Sequence, residues 1–216
     1  MKILMTGNPS YGLAQSWQKL HAQTQYHSRN HGLRCDLSKE NAQEDFAQIS
    51  LDFDVFINSS YIDHFVQAQI CRKVWTVWKK NNKKGFIINI GSAVRDLLRP
   101  DNRFYPTSKR MLEDYSRQLY LYSVWGQSHI RVSCVSFGGI ATPGTLEKWS
   151  HFSHLDTDYC AGVLNWVVNA PDNCNVDLLQ ISPIQPFTKK QMKKNITNFT
   201  ATPSDFLIAD FDENEP

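Results

Sequence analysis

Tyr105 and Lys109 stand four residues apart in Tyr105-Pro106-Thr107-Ser108-Lys109, a spacing that puts both on one face of a helix. An ammonium beside a phenol favours the phenolate, so the pattern predicts a Tyr105 pKa brought down from ~10 toward working pH. Such a tyrosine can pass a proton to or from a carbonyl or alcohol oxygen. Ser92 lies 13 residues before Tyr105, just beyond the apolar run Phe86 to Ile90. A second constellation opens the chain. Thr6-Gly7-Asn8-Pro9-Ser10-Tyr11-Gly12-Leu13-Ala14 follows an apolar run and precedes a helical pattern. A glycine turn in that position lets backbone N–H groups approach a pyrophosphate, with the helix dipole favouring the anion.

These residues need a scaffold that brings them to one edge. The chain alternates short apolar runs with longer helical segments, as in a parallel sheet covered by helices on both faces. Strands are expected at Lys2 to Thr6, Gln25 to Ser28, Leu33 to Cys35, Val55 to Asn58, Phe86 to Gly91, Ile130 to Ser136 and Val176 to Ser182. Helices are expected at Tyr11 to His21, Asn41 to Ile49, Ile62 to Lys80, Tyr105 to Trp125 and Asp158 to Asn169. One domain over 1–187 accounts for the pattern. The basic and then acidic segment 188–216 reads as a tail whose last ten or so residues are mobile.

Composition narrows the chemistry. With 216 residues, 41% of them hydrophobic, the chain can bury a core without staples. Its 23 basic and 21 acidic side chains leave a net charge of +2, which argues against a dedicated nucleic-acid surface. No apolar run approaches the ~18 residues that span a membrane. Five scattered cysteines without a CxxC pair read as reduced thiols of a cytoplasmic protein. His151 and His154 lack an acidic or Cys partner at ligand spacing, so no metal site is expected. The second strand ends at Ser28-Arg29, and no Asp or Glu occurs before Arg34. An acidic residue there suits the ribose of NAD(H), whereas arginine suits a 2′-phosphate, so NADP(H) is the expected cofactor and NAD(H) the alternative.

Taken together, the residues from Met1 to Ser182 resemble a short-chain dehydrogenase/reductase. That resemblance implies a single-domain Rossmann fold, a doubly wound parallel seven-stranded sheet. It implies that Ser92 orients the substrate oxygen, that Tyr105 is the acid/base, and that Lys109 holds the nicotinamide ribose and tunes Tyr105. Gly7, Asn8, Ser10, Tyr11, Gly12 and Leu13 match the cofactor turn. Asp36 and Leu37 match the adenine contact, and Asn58, Ser59 and Ser60 stand at the Asn-Ala-Gly position. Ser136 to Thr142 is similar to the Pro-Gly segment flanking nicotinamide, with Gly138, Ile140 and Thr142 at contact positions. The implied partners are a small carbonyl or alcohol substrate and a second copy of the chain. The resemblance implies a homodimer or homotetramer paired through the helices at 62–80 and 105–125.

The sequence also departs from that pattern. The glycine turn is one residue longer and ends in Ala14, and Phe137 replaces a proline. Few residues separate Asn58 from the next helix, and the substrate-covering segment Thr145 to Asp156 is short. The family's catalytic Asn position falls on His64, which either holds a relay water or marks a missing relay. These departures motivate one rival reading, a non-catalytic NADP-binding or regulatory module on the same fold.

Overall fold

Along each central strand, alternate side chains feed two separate cores. Ile3, Met5, Val55, Ile57, Phe86, Ile88, Val135 and Phe137 face one side, while Leu4, Phe56, Ile87, Ile130 and Val132 face the other. A strand buried on both faces must be apolar throughout, and this is why the runs lack polar alternation. The computed structural model describes residues 1–29, 32–34, 36–96, 104–150 and 152–184. The expected tail 188–216 and Cys35 lie outside the described residues.

Seven strands form one sheet: β1 (Ile3–Thr6), β2 (Gln25–Ser28), β3 (Leu33–Arg34), β4 (Val55–Asn58), β5 (Gly85–Ser92), β6 (Ile130–Phe137) and β7 (Leu178–Ile181). Their order is β3-β2-β1-β4-β5-β6-β7, and every pairing is parallel. Helices α1 (Gly12–Leu20) and α6 (Thr157–Val168) cover the first core, with Trp17 fully enclosed. Helices α2 (Glu40–Ile49), α3 (Val66–Lys80) and α4 (Tyr105–Trp125) cover the second, around Phe46, Ile70, Trp75, Trp78 and Leu119. This is the doubly wound α/β architecture expected from the sequence.

The strand order reverses between β1 and β4. Loops that leave the carboxyl ends of these two strands diverge to opposite faces and open a crevice. Two boundaries differ from expectation. Helix α3 begins at Val66, four residues later than expected, because His64 takes a left-handed backbone (φ +32°) that a helix cannot include. A short helix, α5 (Pro143–Lys148), lies in the segment expected to be only a small lid. Thr142 starts it, its hydroxyl accepting from the Thr145 amide at 3.3 Å.

Candidate active site

The glycine turn has the backbone that a pyrophosphate cradle needs. Gly7 and Gly12 adopt φ of +147° and +55°, which L side chains rarely adopt. A Cβ on Gly12 would stand 3.1 Å from the Thr142 methyl. Thr6 at the end of β1 holds the neighbouring loop: its hydroxyl accepts from the amides of Ser59 (2.9 Å) and Ser60 (3.1 Å). The Asn8 side chain accepts from the Ser10 amide at 2.9 Å and shapes the turn. Helix α1 starts without a capping side chain, so its first N–H groups face the turn. Leu13 packs its side chain into the core. Tyr11 reaches across, accepting from the Gly144 amide at 3.3 Å, and joins the turn to the start of α5.

Beside the turn lies a cleft of about 270 Å³ lined by Asn8, Ser28, Arg29, Asp36, Leu37 and Ser60, together with Tyr61. Six residues assigned to the cofactor from four separate stretches of sequence therefore share one wall. Asp36 accepts from the Ser38 hydroxyl (2.7 Å) and amide (3.1 Å), which hold its carboxyl below the usual range, with Lys39 and Arg29 adding to the effect. Gly138, Ile140 and Thr142 run along the far side of the turn. The Gly138 amide donates to Ile181 at 2.7 Å, and a Cβ there would meet Pro183 at 2.6 Å. Ile140 bridges to Leu155. A larger concavity of about 1060 Å³ lies at the opposite, amino-terminal edge of the sheet. Its arginine is already engaged. One Nη of Arg131 donates to the carbonyls of Ala170, Pro171 and Cys174 at 2.8–3.1 Å, and the guanidinium lies 4.1 Å from the Phe86 ring centre.

Ser92, Tyr105 and Lys109 converge at the carboxyl edge. Ser92 ends β5, next to Gly91, where a Cβ would sit 2.1 Å from the Ser136 hydroxyl, so only glycine fits there. Tyr105 opens α4 with Pro106 in the first turn, where a missing N–H costs nothing. The Ser92 side chain lies next to the Tyr105 phenol and favours its ionised form. Lys109 is 3% exposed, with Nζ 5.6 Å from the Tyr105 ring centre. It donates to the Gln67 side-chain oxygen and to the Ile90 carbonyl, both at 2.8 Å. Burial brings its pKa down to about 8.

One expectation is corrected. The pKa of Tyr105 is raised above its ordinary value, chiefly by burial; the neighbouring Ser92 side chain opposes this and Tyr61 adds to it. The four-residue spacing places Lys109 on the right face. Its ammonium, however, is held by two oxygens 5.6 Å from the Tyr105 ring centre and does not offset the burial. His64 is also placed differently from the residues it was grouped with. It is half exposed, contacts Asp63, and lies 4.8 Å from the Phe104 ring. Two residues that the pattern did not single out stand at the centre. Tyr61 packs edge-on to Tyr105 at 4.7 Å and lies 5.7 Å from Lys109 Nζ. Gln67 touches Lys109 directly. Among the described residues, no group of three or more His, Cys, Asp or Glu side chains is arranged to hold a metal ion, and no helix is long and apolar enough to cross a membrane.

No protein-family model and no curated protein matches this sequence. Solved structures do match it. A 3-ketoacyl-(acyl-carrier-protein) reductase from Brucella melitensis, complexed with NADH, superposes with a TM-score of 0.67 at 15% identity, covering 84% of this chain and 96% of that one. The closed form of a serine dehydrogenase complexed with NADP+ gives 0.69 at 15% identity, covering 84% and 94%. A short-chain dehydrogenase/reductase family protein gives 0.67 at 17% identity, covering 84% and 95%. The chain therefore has the short-chain dehydrogenase/reductase fold. At these identities the likeness concerns the fold alone.

The buried lysine makes stability depend on pH. The folded-state pKa of Lys109 is depressed, so its contribution is most favourable above the unfolded value near 10.5 and is lost as pH falls through about 8. Lys109→Met is expected to stabilise the protein at pH 7, by at most about 3 kcal/mol before losses in hydrogen bonding. The gap from wild type should close between pH 8 and 10.5. Denaturant unfolding of both proteins across that range checks it.

Proposed function

We propose that this chain is an NADP(H)-dependent oxidoreductase of the short-chain dehydrogenase/reductase type, acting on a small carbonyl or alcohol compound. The observation that carries this reading is Ser92 beside the Tyr105 phenol, with a buried Lys109 one helical turn from Tyr105, on the same sheet edge as the glycine turn. The rival binding-module reading gives no reason to hold a lysine ammonium in the core beside that pair.

The residues fit the cofactor. The positive-φ glycines leave the backbone bare at the start of α1, where diphosphate oxygens would meet N–H groups. In the cleft beside it, Asp36 would meet an adenine amino group and Arg29 a 2′-phosphate. NADP(H) would supply or accept the hydride when bound. Ser92 orients the substrate oxygen. Tyr105, held protonated by burial, donates its proton to that oxygen in the reducing direction. Lys109 uses two of its three N–H donors on Gln67 and Ile90, and the third is free to hold a ribose hydroxyl. A positive charge beside a phenol that is losing its proton lowers the cost of that loss.

We also propose that a second copy of the chain covers α4, in a protein of the cytoplasm. Met111, Leu121, Tyr122 and Val124 are exposed there, and Trp125 is 82% exposed. Asp114 stands among Arg110 and Arg117 on the same outward face. An antiparallel pairing about a two-fold axis near Asp114 sets each carboxylate against the other copy's arginines.

Purified protein should oxidise NADPH with one or more members of a panel of aldehydes, ketones and quinones, read by NADPH absorbance. Tyr105→Phe should lower turnover by about 100-fold or more while leaving NADPH binding nearly intact. A Tyr105→Phe enzyme with wild-type turnover defeats the assigned role, and NADPH binding with no turnover on any substrate favours the binding module. Arg29→Ala should weaken NADPH binding by about tenfold or more and leave NADH binding unchanged; a wild-type preference for NADH overturns the cofactor assignment. Light scattering should give a dimer or tetramer for wild type and a smaller species for Trp125→Glu. A monomeric wild type refutes the pairing.

A further inference from the structure

We infer that Gln67 is a positioning residue of this site, fixing the Lys109 ammonium through its side-chain oxygen. The inference deepens the oxidoreductase reading and rests on it. Its basis is a fully buried chain of hydrogen bonds. Asn58 and Asn89 are register partners on β4 and β5, and Asn58 donates to the Asn89 side chain at 2.8 Å. Asn58 also donates to the Gln67 carbonyl at 2.8 Å, pinning the first turn of α3. The Gln67 amide nitrogen donates to the carbonyls of Asn58 (2.6 Å) and Ile90 (3.2 Å).

Those two bonds settle which way the amide lies. A carbonyl oxygen cannot accept from carbonyls, so nitrogen must face Asn58 and Ile90. The oxygen is thereby turned toward Lys109, which donates to it at 2.8 Å. The Ile90 carbonyl takes a second Lys109 proton and also receives from Gln67, so one backbone oxygen ties both side chains to the end of β5. Two β-strands and a helix end therefore fix an oxygen under the lysine, and Ser92 stands two residues beyond Ile90 on the same strand. The titratable groups around Lys109 are Tyr105 and, one turn on, Glu113 from α4, Tyr61 from the loop after β4, and Cys134 from β6. Gln67 is the uncharged side chain among its neighbours held at hydrogen-bonding distance. It stabilises the ammonium without neutralising it, as a carboxylate would.

The test titrates Lys109 in cofactor-free protein by NMR, with carbon-13 at the lysine ε position and the resonance assigned through Lys109→Met. Gln67→Met keeps the volume and removes the oxygen, so the Lys109 midpoint should fall by roughly one pH unit. Gln67→Glu places a carboxylate in the same place, so the midpoint should rise by at least as much. Loosening that merely admits water would raise the midpoint in both variants, so the opposite signs separate positioning from damage. With NADPH and a substrate, the pH profile of turnover should move in the same direction as the midpoint in each variant. A midpoint unchanged in either variant, or raised in Gln67→Met, overturns the inference. The titration needs no turnover, so an inactive wild type would refute the oxidoreductase reading and leave the Gln67–Lys109 contact standing.

Discussion

A lysine ammonium removed from water must find oxygen atoms or give up its proton, and the architecture around Lys109 follows from that requirement. On the sheet face covered by α2, α3 and α4, the Asn58 and Asn89 pair interrupts the apolar runs of β4 and β5. Both asparagines are fully buried. They anchor α3 and α4 to the sheet, through the Gln67 carbonyl on one side and the Ser116 hydroxyl at 2.9 Å on the other. Both helices are thus held in polar register at the level where Lys109 enters. Apolar packing alone tolerates small slides; a directional hydrogen bond in a dry core does not.

Strand order then does the rest of the positioning. Because the chain returns from β3 to lie beside β1 on its other side, the loops after β1 and β4 separate and leave room for an extended ligand. Thr6, the last residue of β1, spans this opening by accepting from two amides of the β4 loop. The glycine turn on one side and the Tyr61–Tyr105 ring pair on the other therefore flank this opening. Thr142 and Tyr11 close it from above, where α5 begins.

Much of this was legible in the chain. Periodicity located the seven strands, and the spacing of Ser92, Tyr105 and Lys109 anticipated a convergence that the fold delivers. The convergence of Arg29, Asp36 and Ser60 on one cleft followed from assigning strand ends correctly. What stayed hidden depends on side-chain reach. Gln67 sits in the first turn of α3 with no local signal, and its role exists only because β4 and β5 present carbonyls on either side of it. The shift of Tyr105 was misjudged for the same reason. Spacing gives the face of a helix, but the competing oxygens that draw Lys109 Nζ inward belong to other elements. The late start of α3 turned on the conformation of a single histidine, which no periodicity encodes.

Burial of Lys109 is costly by the same argument that makes it useful. Its depressed pKa measures a preference of the folded site for the neutral amine, which Gln67 and Ile90 oppose only in part. A stability-driven sequence would place leucine or methionine at such a position, since a well-packed apolar side chain does as well or better than a buried charge. The two aromatic rings, each less than 6 Å from Nζ, shield the charge further from water while offering it their negative faces. The polar network behind it is thus best understood as the minimum needed to keep that charge in place.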